Sequence, residues 1–309
     1  MSRFGPFIAI LCLTAAVRGA QPAPPDTAAS VIAASREALG GEKKLAAVKT
    51  VVATGRTRQV RGDNLVPIEF EIAIELPDKY VRKDEIPAQE SGPTTTGFAG
   101  ETLLQFPPPS PPPARAGGPP PPTADQIAAA ARLRLANVRQ DFARLMLGMF
   151  AGSSSAYPLT FTYAGKAEAP QGKADVLDVK GPAGPGAFAA RLFVNADTHL
   201  PIMLTWTAPP SPRGSPAASA SQGRRDGPPA SASEGREGAP PGQGREGVPP
   251  NQPPPPETRL YFADYREVSG LQLPFRLRRA LGTDTVEETT FDGFKINGKI
   301  DPKKFEVRK

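Results

Sequence analysis

The chain has 309 residues, 39 of them proline and 30 glycine, with one cysteine, one histidine and a formal net charge of +6. One cysteine and one histidine exclude a disulfide framework, a thiolate cluster and a multi-histidine metal centre. The basic residues are scattered among acids and form no patch that would neutralise phosphates. The expectation is therefore no nucleic-acid partner and, as peripheral membrane contact, only weak attraction to an anionic surface.

Residues 1–20 read as an export signal. Arg3 supplies the positive start, residues 7–17 are apolar, and Gly19-Ala20 precede a cleavage point at Gln21. The apolar run is far shorter than the roughly 20 residues a membrane-spanning helix needs. Cys12 lies inside that run behind Leu11, not behind the small residue a lipidated cysteine requires. The expectation is a soluble mature protein in the periplasm or secreted. Removal of Arg3 and Arg18 leaves it a net charge of +4 and no cysteine.

The first helix is predicted over residues 27–39, with Val31, Ile32 and Leu39 as its larger apolar residues, Asp26 as cap and Gly40-Gly41 as stop. A short helical turn follows over residues 42–48. Residues 49–60 are a β-branched strand interrupted by Gly55. Residues 66–76 alternate Ile68, Phe70, Ile72, Ile74 and Leu76 with Glu69, Glu71, Ala73 and Glu75. Such a strand has one buried face and one solvated face, as in an antiparallel sheet. Residues 80–84 and 94–105 are further strands.

Residues 106–123 are proline-rich. Thr123 and Gln126 then form a capping box that opens a helix over residues 124–150. Leu135, Val138, Phe142, Leu145, Met146 and Met149 share one face of it. The natural partner of that face is the apolar side of the 66–76 strand. Strands follow at 159–163, 174–179, 188–194 and 201–206. Residues 209–256 are Pro-, Gly-, Ser-, Ala- and Arg-rich, with a degenerate repeat, GREGAPPGQ from Gly235 and GREGVPPNQ from Gly244. Both proline-rich segments bury too little apolar surface to offset chain entropy and are expected to be disordered. Three more strands, 258–266, 271–280 and 285–291, precede a tail in which Phe305 plugs the sheet edge. The result is an α+β, mostly β domain over residues 21–309. It has ten or eleven antiparallel strands and helical elements, interrupted by loops 106–123 and 209–256.

Catalytic chemistry finds no footing. His199 stands near Asp197 but follows a turn, and no serine sits in a nucleophile elbow. Asp84 and Glu85 are adjacent, so on a strand they point to opposite faces. No calcium loop or phosphate-binding glycine loop is present. The expectation is a non-enzyme without metal or cofactor.

Several stretches resemble one family. They are Glu37-Ala38-Leu39-Gly40-Gly41 with Leu45, Val48 and Lys49; Arg191-Leu192-Phe193-Val194-Asn195 with Thr198-His199-Leu200-Pro201; Asp264-Tyr265-Arg266 with Gly270-Leu271 and Leu273-Pro274; and Phe294-Lys295-Ile296-Asn297 with Pro302 and Phe305. In this order they resemble the LolA-like periplasmic lipoprotein-carrier superfamily. The resemblance implies a curved antiparallel half-barrel closed on its concave side by helices, with a cavity that shelters acyl chains. The two proline-rich insertions depart from it.

The apolar strand face needs a cover, and the implied fold leaves space beneath one. The leading expectation is thus a binder or carrier of a lipid or lipoprotein acyl chain. Its lining candidates are Ile68, Phe70, Ile72 and Ile74 on one strand, Phe161 and Tyr163 on another, and Phe188, Leu192, Leu204 and Trp206 beyond. The alternative is a non-catalytic envelope scaffold whose repeat-bearing loop contacts envelope proteins.

Overall fold

The structure, a computed structural model, describes residues 27–87, 89–90, 92–109, 122–169, 172–184, 187–207 and 256–307. The export signal, Asp26 and nearly all of the two proline-rich segments lie outside these residues. Helix α1 (Ala28–Ala38) is capped by Thr27, whose hydroxyl accepts from the Ser30 amide. It is followed by α2 (Glu42–Ala46), β1 (Thr50–Arg61), β2 (Asn64–Glu75), β3 (Lys79–Glu85), β4 (Thr94–Ala99) and β5 (Thr102–Phe106). Helix α3 (Ala124–Phe150) then separates these strands from β6 (Thr160–Ala169), β7 (Gly172–Lys180), β8 (Ala189–Asn195) and β9 (Pro201–Thr207). Strands β10 (Glu257–Val268), β11 (Leu271–Leu281) and β12 (Asp284–Ile296) complete the sheet.

All of these strands belong to one open sheet of 12, in the order β5-β4-β3-β2-β1-β12-β11-β10-β9-β8-β7-β6. The twelfth strand, beyond the ten or eleven expected, arises within residues 94–105. They fold as a hairpin, with Gly100 in the left-handed region at φ 54°. The inward face passes from Phe98 to its cross-strand partner Leu103, a change of phase across the turn. The α3 capping box forms as expected, with the Thr123 hydroxyl accepting from the Gln126 amide.

The sheet is bent around α3. Phe142 packs against Phe98 on β4 with ring centroids 5.4 Å apart, while the guanidinium of Arg144 lies 4.3 Å over the Trp206 ring on β9. In the strand order β4 and β9 are seven steps apart. At about 4.8 Å per step a flat sheet would separate them by roughly 33 Å. A helix with its side chains is about 10–12 Å across, so two residues two positions apart reach both strands only on a strongly curved sheet. Register shifts in the β1/β12, β11/β12, β8/β9 and β6/β7 pairs help the bend, since each bulge adds twist.

Two apolar clusters fill the concave side. One gathers Phe70, Ile72, Ile74, Tyr80 and Phe98 with Phe142, Leu145, Met146 and Met149 of α3, together with Leu273, Phe275 and Phe291. The other gathers Leu177, Val179, Leu192, Leu204 and Phe262 with Ala143 and Leu147, and takes in Val31 from α1. Gly148 lets α3 approach the sheet, because a Cβ there would lie 2.1 Å from the Phe262 ring. The Tyr265 hydroxyl lies 2.9 Å from the Gly148 carbonyl and 2.8 Å from that of Pro201, within donating reach of both helix and sheet. Burial raises its pKa well above that of an ordinary phenol, so it stays a donor. Arg36 donates to the Phe150 carbonyl at 2.9 Å, a cation at the negative end of α3.

The outer face is less wet than alternation predicts. Phe305 packs there against Ala73, Val81 and Leu104, covering the face and not plugging the edge. Glu71 and Glu75, expected to be solvated, are half-buried and pair with Lys304 and Lys79; Glu69 is exposed.

Strands β9 and β10 flank the long loop in sequence and are neighbours in the sheet, with Thr207 opposite Glu257. If they belong to one domain, replacing residues 209–256 by a short Gly-Asn turn leaves a single cooperative melting transition. Two calorimetric transitions in the full chain would contradict this. Gly148→Ala should lower stability by about 1–3 kcal/mol in urea denaturation, because α3 must lift from Phe262; an unchanged midpoint would contradict that contact.

Candidate ligand-binding site

Between the C-terminal half of α3 and the concave face lies a cavity of about 510 Å³. Its apolar walls are Ile68 and Ile72 of β2, Val138 and Leu145 of α3, Leu260 of β10, Leu277 of β11 and Phe291 of β12. Apart from Ile86 and Gly92, the rest of its lining is polar. Arg61, Arg82, Arg144 and Arg279 face Asp84, Asp141 and Glu287, with Thr57, Thr94, Thr96 and Thr289 between them.

Most of these polar groups are engaged. Arg82 donates from Nε to Asp84 Oδ1 at 2.7 Å and from Nη2 to Thr57 Oγ1 at 3.2 Å, and it lies 4.6 Å over the Phe70 ring. Thr57 in turn shares a buried 2.9 Å hydrogen bond with Thr289, its cross-strand partner. Burial opposes the Arg82 charge, but Asp84, Tyr80 and Glu287 outweigh it and raise its pKa. Burial likewise raises the pKa of Tyr80, so this wall of the cavity carries a neutral phenol.

Arg144 donates to Asp141 Oδ1 at 2.8 Å and to Gln140 Oε1 at 3.2 Å. Its guanidinium is also stacked over Trp206 and lies 5.4 Å from the Phe188 ring centroid. Among the described residues, Arg279 makes only a long ion pair, 3.8 Å from Nη1 to Glu287 Oε2. Among the described residues, the Nε atoms of Arg144 and Arg279 are buried without a partner.

Of the ten residues the sequence nominated, Ile68 and Ile72 line the cavity. Phe70 and Ile74 are buried in the first cluster. Phe188, Leu192 and Leu204 are buried in the second, with Phe161, Tyr163 and Trp206 half-buried against it. The nominees thus fall into two groups on the same concave side. The charged lining was missed, although its signal is present. Arg82 and Asp84 are in phase with Tyr80 on β3, and Arg279 is in phase with Phe275 and Leu277 on β11. A charged residue on the inward phase of an otherwise apolar strand is that signal. Asp141, which is not one of the apolar residues that share a face of α3, also lines the cavity.

His199 is an exposed turn residue at φ 57°, and its amide donates to the Asn195 carbonyl at 2.9 Å. Among the described residues no group of His, Cys, Asp and Glu is arranged to hold a metal, and no helix is long and apolar enough to cross a membrane.

No family model matches the chain, and no curated protein matches it either. Solved structures do. A LolA superfamily protein from Nitrosomonas europaea is 13% identical, with a TM-score of 0.48, over 90% of this chain and 97% of that one. A DUF1329 family protein from Desulfovibrio piger is 7% identical, with a TM-score of 0.44, over 91% of this chain and 98% of its own. A domain described as outer-membrane lipoprotein-sorting, from Vibrio parahaemolyticus, is 8% identical, with a TM-score of 0.44, over 90% and 97%. Shared architecture at such identities does not carry a ligand from one protein to another.

The Thr57–Thr289 pair tests the polar wall. Thr57→Val should cost about 1–3 kcal/mol in urea denaturation, by orphaning a buried hydroxyl. The double variant with Thr289→Val should be no less stable than the single one. Additive losses would mean that the two hydroxyls do not serve each other.

Proposed function

We propose that this protein is an exported, soluble, non-catalytic binder of the acyl chain of a lipid or lipoprotein, acting as a carrier in the periplasm or outside the cell. The observation that supports this reading best is the cavity of about 510 Å³ under α3. Its size lies in the range of about 300–1,000 Å³ typical of small-molecule sites. Its apolar walls come from five elements, and Ile68, Ile72, Leu260 and Phe291 among them are buried. An acyl chain needs such walls and little else, because each buried CH₂ contributes about 0.8 kcal/mol. Ten methylenes would give about 8 kcal/mol gross, the scale of micromolar affinity before immobilisation costs.

A second reading rests on the repeated GREG and PP units of residues 209–256, which suit an envelope scaffold. Native mass spectrometry of protein purified from its own periplasm, with and without residues 209–256, separates the two. The carrier reading expects a co-purifying lipid, and uptake of a fluorescent fatty acid, in both forms. No lipid and no uptake, together with a pull-down partner lost on deletion, would sink it in favour of the scaffold.

A further inference from the structure

The cavity is unusual for a pure acyl-chain site in having charge inside it. Four arginines against three carboxylates leave its lining one net positive charge. The carboxylates do not use the arginines evenly. Asp84 is taken by Arg82, and Asp141 by Arg144. Glu287 is the remaining acid, and it lies 3.8 Å from Arg279, beyond hydrogen-bond reach. Arg279 is therefore a cation with donors to spare. Arg144 is held in place from all sides, by the Trp206 and Phe188 rings and by Asp141 and Gln140, yet its Nε has no partner among the described residues.

A buried donor without an acceptor is costly, and a guanidinium without one costs most. Arg144 sits on α3 and Arg279 on β11, and both line the cavity. The two cations also feel one another. Burial lowers the pKa of Arg144 despite Asp141, and the Arg279 charge lowers it further. A planar oxyanion is the partner that forked guanidinium donors match best.

We propose that the cavity selects amphiphiles with an anionic head group, a carboxylate or a phosphate, held by Arg279 and Arg144, while the chain lies along Ile68, Ile72, Leu145 and Phe291. This rests on the reading of the cavity as an acyl-chain site and adds a head-group preference to it. Arg82 takes no part, since its Nε, unlike those of Arg144 and Arg279, already donates to a carboxylate, that of Asp84. Glu287 sets the strength of the preference, because it competes for Arg279.

The test is calorimetric titration of the full mature chain at pH 7.5 with three ten-carbon probes: decanoate, decyl phosphate and decanol. The anionic probes should bind about tenfold or more tighter than decanol. Arg279→Met should remove most of that difference, read as the ratio of anionic-probe to decanol affinity within the variant. Arg279→Lys should restore part of it, because a point charge replaces the fork. Circular dichroism melts check that each variant folds, and Arg144→Met supplies an independent second variant. The tighter of the two anionic probes names the head group. If decanol binds wild-type protein as tightly as decanoate, or if both Met variants keep the full preference, the head-group inference falls and the acyl-chain reading stands. If none of the three probes binds, the acyl-chain reading falls and takes this one with it.

Discussion

The fold depends on one contact surface, the C-terminal half of α3 seated against the concave side of the sheet. Phe142 and Arg144 stand almost at the same height on the helix, yet they meet strands β4 and β9, which a flat sheet would hold roughly 33 Å apart. Curvature, core and cavity all follow from that seating. The bulges let the strands bend, Gly148 lets the helix descend onto Phe262, and Tyr265 and Arg36 fasten its end. The first turns of α3 are exposed, including Ile127 and Leu133, so the helix belongs to the domain by its second half only.

Helix ends and strand phases were legible in the sequence because they are local. Thr123 with Gln126 fixes the start of α3, and the Ile68-to-Ile74 alternation fixes the inward face of β2. Both signals span only a few residues. The hairpin at Gly100 was not legible, since one glycine in a run of β formers is compatible with a bulge or a turn. Nor was the covering of the outer face by Phe305, a contact across some 200 residues that no local pattern encodes.

The site was legible in part, and the reason is instructive. Apolar alternation identifies which residues face inward, but it does not say which of them pack solidly and which border a void. Ile72 and Phe70 lie two residues apart on the same face of β2; Ile72 lines the cavity and Phe70 lies beneath the Arg82 guanidinium. The arginines went unread for another reason: a scan for metal, nucleophile and carboxylate motifs passes over guanidinium groups that carry no catalytic pattern. The turn motifs of the resemblance, by contrast, have a plain structural account. The Asn195 side chain accepts from the Asp197 and Thr198 amides, and that of Asn297 accepts from the Lys49 amide, so both asparagines serve as turn locks.

The space beneath α3 is either a chain-binding cavity or a gap that the side chains close in solution. A crystal of the mature protein soaked with a terminally brominated fatty acid would decide between them. The account predicts an anomalous bromine peak between α3 and β2, beside Ile72 and Leu145. A peak found only on the outer surface, with the side chains of Val138, Leu145 and Leu277 collapsed into the cavity, would contradict it.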